Sequence, residues 1–470
     1  MSSFLGGRGE ADAEVHAKSL LERELYQFVV QVGTSNDDRL AHSMLIRQIA
    51  AVAQTVLSAS AQILVYGSAA SGLCERLSDI DATVKVDFPT LSERFYGVRS
   101  IPAASETRAL CAESVQAIAN FIYEHPEYGF SVKQLIPGAK VPIVVLMAAG
   151  GQTVDISINN ELPIHNTRLL RAYATLDDRV RILVLSVKRW ARLVGVSDAK
   201  LANLSSYSWT LMCVYYLQVR DKSSGGALLP SLQRLAQSSA LETGLFRCPC
   251  TGRVYDCRFQ AVVDGRYRLS CSSSSVELLT DFFAFYASEF RWGEEVVSIR
   301  QGRRLSIHEN VFSTLSRGKL FDLGVATIHI EDPLDIQRNL NCVLDIEGLS
   351  RLTKALSDVH SRIANVPYSV LINHARLLFL GTPPKPGHLG PPPGITTCLE
   401  PTQEDQVSPT KPVIPLSKQV QLQVSQHALT SRKETAEKVE FIGPLGTYIQ
   451  HTLDADGNPD LGSAIRVDLW

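Results

Sequence analysis

Between residues 11 and 58 apolar side chains recur three and four positions apart, at Leu20, Leu21, Leu25, Phe28 and Val29 and again over 45–57. That spacing predicts helices that bury one face. The rhythm then shortens. Residues 61–66 form a compact apolar, β-branched run closed by Gly67, which reads as a strand entering a turn, and 80–86 reads as the next strand. Helical spacing returns over 107–124, and two more strand-like runs, 141–147 and 153–158, flank Ala149-Gly150-Gly151. This order predicts a small mixed sheet with helices on one face.

Beyond Ile158 the helical period dominates, over 167–173, 179–194, 205–220, 277–290, 345–359 and 367–380. The expected fold class is therefore α+β: N-terminal helices and a mixed-sheet domain over 1–165, a mainly helical domain over 166–380, and a cleft between them. Residues 221–275 lose the helical pattern and read as an insertion, expected to extend toward the sheet domain beside the cleft. The Pro- and Gly-rich stretch 381–417, with Pro391-Pro392-Pro393, lacks the apolar content for a core and reads as a linker. In the extension 418–470, alternation over 448–453 and 465–469 around Asp456-Gly457-Asn458 predicts a small hairpin.

A length of 470 residues suits two domains with extensions. Hydrophobic residues at 45% against 20% charged give an ordinary globular balance. The formal net charge of −2 argues against coating a duplex, which draws its affinity from a positive excess, while permitting a local grip on a few nucleotides. Nine cysteines in a chain this long do not indicate a disulfide framework. No apolar run reaches the roughly 18–20 residues of a membrane span. The first residues lack a signal core and carry Glu10, Asp12 and Glu14. The expectation is a soluble intracellular protein without a membrane partner, with cytoplasm and mitochondrion both open.

The chemistry concentrates around Gly67-Ser68 and Ser78-Asp79-Ile80-Asp81. In an extended segment Asp79 and Asp81 point to one side while Ile80 packs inward. Asp155, in the strand-like Thr-Val-Asp-Ile-Ser, is the expected third carboxylate. Three hard-oxygen ligands of this kind suit two Mg2+ (or Mn2+) ions that act on a triphosphate and an attacking hydroxyl together. Gly67 lets the backbone approach a triphosphate, and Ser68 with nearby amides can bind its oxygens. Each element alone is common; their combination carries the assignment. Cys248, Cys250, Cys257 and Cys271 leave two readings, a four-thiolate zinc site or ordinary reduced cysteines. His308, His329 and His360 lack ligand spacing.

The run Val65-Tyr66-Gly67-Ser68, Gly72-Leu73 and Leu77-Ser78-Asp79-Ile80-Asp81 resembles the signature of terminal nucleotidyltransferases in the DNA-polymerase-β superfamily. The likeness continues through 166–173, Val187-Lys188-Arg189-Trp190 and Ser205-Ser206-Tyr207-Ser208-Trp209 to Ile330-Glu331-Asp332-Pro333. It is closest to the compact trypanosomatid terminal uridylyltransferases, which tail and edit RNA. The resemblance implies a polymerase-β-like palm and transfer of UMP from UTP to a single-stranded RNA 3′ end. It further implies that Lys188 and Arg192, four apart on one helix face, hold the triphosphate with Ser206. Tyr207 would stack on the base, Asn166 and Thr167 would meet ribose and base edge, and Asp332 would read the base. Asp335 replaces a glutamate of the family, and Arg338 stands where some relatives place a histidine that helps exclude adenine. These departures bear on nucleotide choice. An adenylyltransferase and an inactive scaffold in a multiprotein RNA-processing complex are the alternatives.

Overall fold

The computed structural model describes residues 3–76, 78–220, 225–237, 244–261, 271–364, 366–375, 437–442, 447–452 and 465–468. The expected linker 381–417, residues 376–380 and the Asp456-Gly457-Asn458 turn lie outside the described residues, as does Leu77 within the acidic motif.

The N-terminal helical pattern resolves into α1 (Ser3–Val32) and α2 (Asn36–Val56). The break falls at a capping box: Ser35 Oγ accepts the Asp38 amide at 3.1 Å and Asp38 accepts the Ser35 amide at 2.7 Å. Then follow β1 (Gln62–Tyr66), α3 (Gly67–Ser71), β2 (Ile80–Lys85), α4 (Phe88–Tyr96), α5 (Ala104–Glu124), β3 (Phe130–Ile136), β4 (Ile143–Ala148) and β5 (Thr153–Ile158). The sheet runs β1-β2-β5-β4-β3. Only β2 and β5 pair parallel; the other neighbours are antiparallel. Ile80, Ala82 and Val84 alternate along β2 and Val154, Ile156 and Ile158 along β5, all buried with Ile49 and Val52 of α2 and Leu110, Val115 and Ile118 of α5. One face of the sheet is thus covered by helices, as the pattern predicted, and strand alternation sends Asp81 and Asp155 to the other face. The short α4 and the half-exposed β3 escaped the sequence pattern.

The helical half comprises α6 (Leu162–Leu176), α7 (Asp178–Leu193), α8 (Ser206–Val219), α9 (Leu232–Gln237), the hairpin β6 (Leu245–Arg247) and β7 (Val254–Asp256), and α10 (Ser275–Ala284), which ends in a π turn over Phe285–Glu289. It continues with β8 (Val296–Val297), α11 (Lys319–Asp322), β9 (His329–Ile330), α12 (Ile346–Ile363) and α13 (Tyr368–Ala375). Every residue of α8 from Ser208 to Gln218 is buried, so this helix, apolar on all sides, forms the centre. Trp190 meets Trp209 and Phe283 edge-on at 5.6 and 4.7 Å, contacts that stabilise by about 0.5–1.5 kcal/mol each beyond their buried area. Leu21, Leu25, Phe28 and Val29 of α1 belong to this core. The first helix, expected with the sheet domain, therefore packs in the helical one.

The insertion touches both halves. Thr107 of α5 donates to the Cys250 carbonyl at 3.0 Å, and Gln233 Nε2 donates to the Pro333 carbonyl at 2.8 Å. Cys250 packs against the sheet-side core, Cys271 lies in the helical core, and Cys257 sits in a small cluster with Tyr255 and Leu334. Cys248 packs in that same cluster and hydrogen-bonds with Cys250, while Cys271 lies apart from them; among the described residues no three His, Cys, Asp or Glu side chains are grouped to hold a metal.

A second unit contains β10 (Glu437–Ile442), β11 (Thr447–Thr452) and β12 (Ile465–Asp468). β11 pairs antiparallel with both neighbours: β12 is the strand expected to pair with it, and β10 adds a third.

Candidate active site

Parallel pairing of β2 with β5 sets Asp81 directly beside Asp155, and Tyr66 faces Asp81 from β1. Asp79 precedes β2 at an exposed position, where Thr153 Oγ1 donates to its carboxylate. Burial, with repulsion from Asp155 and Asp79, pushes the Asp81 carboxyl up to about 7. Burial and then Asp79 raise Asp155 as well. A carboxylate set under this repulsion, with hard oxygen donors, fits divalent cations in kind. Among the described residues, no three His, Cys, Asp or Glu side chains are drawn together tightly enough to ligate one ion as they stand.

Gly67 opens α3 with φ +77°, and a Cβ there would run into the Asp81 carboxylate. Glycine is thus required first by the neighbouring acid. The expected turn is the start of a short helix, and Ser68 lies in its first turn, half-buried. Thr167, expected at the nucleotide, spends its hydroxyl otherwise: Oγ1 accepts the Gly67 amide at 2.8 Å and donates to the Pro163 carbonyl at 2.7 Å. It braces the Gly67 corner. Ser78 is likewise turned inward, its Oγ accepting the Glu75 amide at 3.1 Å, while Gln152 donates to its carbonyl at 2.9 Å.

Lys188 and Arg192 both reach the loop after α3. Lys188 is buried and donates to the Leu73 carbonyl at 2.7 Å, and burial lowers its pKa. Arg192 is exposed and pairs with Glu75 at 2.9 Å. Ser206 is exposed at the first turn of α8, which Ser205 caps.

Asn166 Oδ1 and the Tyr207 hydroxyl are enclosed without a hydrogen-bond partner among the described residues. Burial, followed by the nearby Asp332, raises the Tyr207 phenol. Asp332 is itself buried: its Oδ1 accepts the Leu334 and Asp335 amides at 3.1 Å each, and Arg338 lies 3.7 Å from its Oδ2. Asp335 pairs with Arg253 at 2.9 Å. Sequence reasoning missed Thr153, legible two positions before Asp155 on the same strand face, and also Glu75, Gln152 and Arg253, which no local pattern marks.

The fold matches known proteins. Residues 21–175 match the family of the mitochondrial-like poly(A) RNA polymerase central palm domain, and residues 276–338 match the Cid1 family poly A polymerase domain. The chain has the polymerase-β-like nucleotidyltransferase fold, and these two matches support a place in the nucleotidyltransferase superfamily. Its relatives include human terminal uridylyltransferase 4, 26% identical over 350 residues covering 70% of this chain and 18% of that protein. Human poly(A) RNA polymerase GLD2 is 31% identical over 281 residues, 58% of this chain and 51% of that protein. The chain thus spans less than a fifth of the first of these relatives and about half of the second. Among solved structures, a cytoplasmic RNA terminal U-transferase matches with a TM-score of 0.58 at 25% identity, covering 75% of this chain and 98% of that one. The GTP-bound Cid1 poly(U) polymerase gives 0.57, also at 25% identity, over 75% and 98%. Among the described residues no helix is long and apolar enough to cross a membrane.

Proposed function

We propose that the chain is a template-independent RNA 3′-terminal uridylyltransferase of the kind found in the compact trypanosomatid enzymes, adding UMP from UTP to single-stranded RNA. The observation that carries the reading is the register of Asp81 beside Asp155, with Asp79 at the mouth of the same strand. Asp79, Asp81 and Asp155 would hold two divalent cations, which when bound activate the RNA 3′-hydroxyl and neutralise the departing pyrophosphate. The bond from the 3′-oxygen to the α-phosphorus forms as the bond to pyrophosphate breaks. Arg192 and Ser206 steady the triphosphate, Arg192 exchanging Glu75 for phosphate as it does so, while the buried Lys188 serves it through the loop after α3, whose Leu73 carbonyl it holds. Asn166 Oδ1 accepts a ribose hydroxyl, and the Tyr207 ring stacks on the base, a contact of about 1–3 kcal/mol.

Base choice follows from Asp332. Uracil presents an N3–H donor where cytosine presents an acceptor, so a carboxylate, directly or through water, favours uracil. A buried polar group left unpaired by the wrong base discriminates by up to about 10⁴–10⁵-fold. The similarity to GLD2 supports a second reading, adenylyl transfer, with Arg338 as the residue that decides it. A magnesium-dependent extension assay on short RNA with each nucleotide separately tests both. UTP as the best substrate with CTP strongly rejected is the expected result; ATP incorporated as fast as UTP moves the protein to the adenylyl reading.

A further inference from the structure

The loop 332–338, which the proposed function sets against the base, is buried over 332–334 and emerges to the surface over 336–338. A cavity of about 370 Å3 separates it from the β6–β7 hairpin, lined by Arg253, Tyr255, Arg258, Arg300, Pro333 and Gln337 among others. The depth of the loop rests on discrete contacts: the Ser316 amide donates to the Gln337 carbonyl at 3.0 Å from the helical half, and the insertion supplies the others described next. Gln233, 5% exposed, donates to the Pro333 carbonyl at 2.8 Å. Arg253 donates to Asp335 at 2.9 Å and to the Gln337 side chain at 3.1 Å. Leu334 packs with Tyr255 and Cys257.

The same hairpin is fixed at its far side. Phe246 packs on His165, ring centres 4.7 Å apart, one residue before Asn166 in α6. The Cys250 carbonyl is held by Thr107 of the sheet half, and the Cys250 thiol donates to the Asn159 carbonyl at 3.5 Å. Asn159 directly follows β5, the strand that carries Asp155. A short chain of contacts therefore runs from the catalytic strand through the insertion to the base-facing loop.

We infer that Arg253 and Gln233 are positioning residues for nucleotide selection, holding the 332–338 loop at the depth that sets base choice. The inference rests on the reading that this loop meets the base. It does not depend on which base is preferred. Without Arg253 the Asp335 carboxylate loses its ion pair beside Asp332, the loop can shift into the cavity, and Asp332 changes its reach toward the base edge. Displacements of about 1 Å at a positioning group can change rates on the order of a hundredfold, whereas triphosphate binding and the carboxylates are untouched.

The test is kcat and KM for all four nucleotides, with magnesium and a short RNA, on the full chain and on Arg253→Met, Arg253→Lys and Gln233→Leu, with Asp332→Ala alongside. The Arg253 side chain is about half exposed, 46% by area, so its variants should fold; melting curves check this. In Arg253→Met the kcat/KM ratio of the preferred nucleotide over CTP should fall at least about fivefold, mainly through KM, with kcat for the preferred nucleotide within about twofold. Arg253→Lys should recover most of the ratio, and Gln233→Leu should lower it in the same direction. An unchanged ratio in folded Arg253→Met, or an equal loss for every nucleotide, overturns the inference whatever Asp332→Ala does. A wild-type preference for ATP overturns the uridylyl reading alone, since the ratio is still measured against CTP.

Discussion

Asp81 sits between two other acids with its carboxyl raised to about 7 by burial and their charge, an arrangement that costs stability in the absence of a counter-ion. Alanine at Asp79, Asp81 or Asp155 should lower extension at least about a hundredfold, given what metal-assisted charge stabilisation supplies, and leave the melting temperature unchanged or higher. Activity within about tenfold of wild type at any one position would remove that residue from the site. His329 provides a second measurement. It is fully buried beside Asn339, which meets its Nδ1 at 3.0 Å, and burial lowers its pKa to about 4. The folded state thus favours the neutral ring. Its contribution is complete above the unfolded value near 6.5 and is lost as pH falls toward 4, by roughly 3 kcal/mol at most. Asp81 works in the opposite sense, so the informative quantity is a difference. The melting temperature of wild type minus that of His329→Gln should decline between pH 7 and pH 4.5; a flat difference counts against a neutral buried ring.

At the scale of elements, the decisive junction is the one from β1 into α3. Gly67 holds a positive φ there, its amide is tied to Thr167 of α6, and its missing Cβ makes room for Asp81. Gly67→Ala must displace either the helix start or the carboxylate. It should reduce kcat at least about a hundredfold while the protein stays folded, because a shift of about 1 Å at a reacting group is enough. Thr167→Val keeps the shape and removes two hydrogen bonds, the one accepted from the Gly67 amide and the one donated to the Pro163 carbonyl. It should cost about 2 kcal/mol of stability and reduce activity less than Gly67→Ala. Steady-state kinetics and thermal melts on the pair check the order, and a reversed order would mean that Thr167 contacts substrate directly.

For the whole molecule, the balanced charge of the 470 residues limits how RNA is held. With a formal net charge of −2, binding in the absence of nucleotide should be weak and confined to the last few nucleotides. The slope of log affinity against log salt should be no steeper than about −2, the release expected from two or three single-strand phosphates. Filter binding or anisotropy over a salt series measures it, and tight duplex binding with a steep slope would contradict the expectation.

The sequence alone determined the elements whose signal is local. Alternation along β2 and β5 gives the faces of Asp81 and Asp155, because strand side chains alternate whatever surrounds them. Helical spacing gives α2, α5, α7 and α12, because a buried face repeats with the turn. The motif around Asp79 and Asp81 was legible for the same reason. What only the tertiary structure decided depends on partners distant in the chain. That α1 packs with the helical half, that Thr167 braces Gly67, that Lys188 is buried against Leu73, and that Arg253 reaches Asp335 all follow from packing between segments whose separation leaves no period in the sequence. The same physics explains Gly67. Its need for a glycine was readable, but the atom that enforces it, a carboxylate oxygen on the next strand, appears only when the sheet closes.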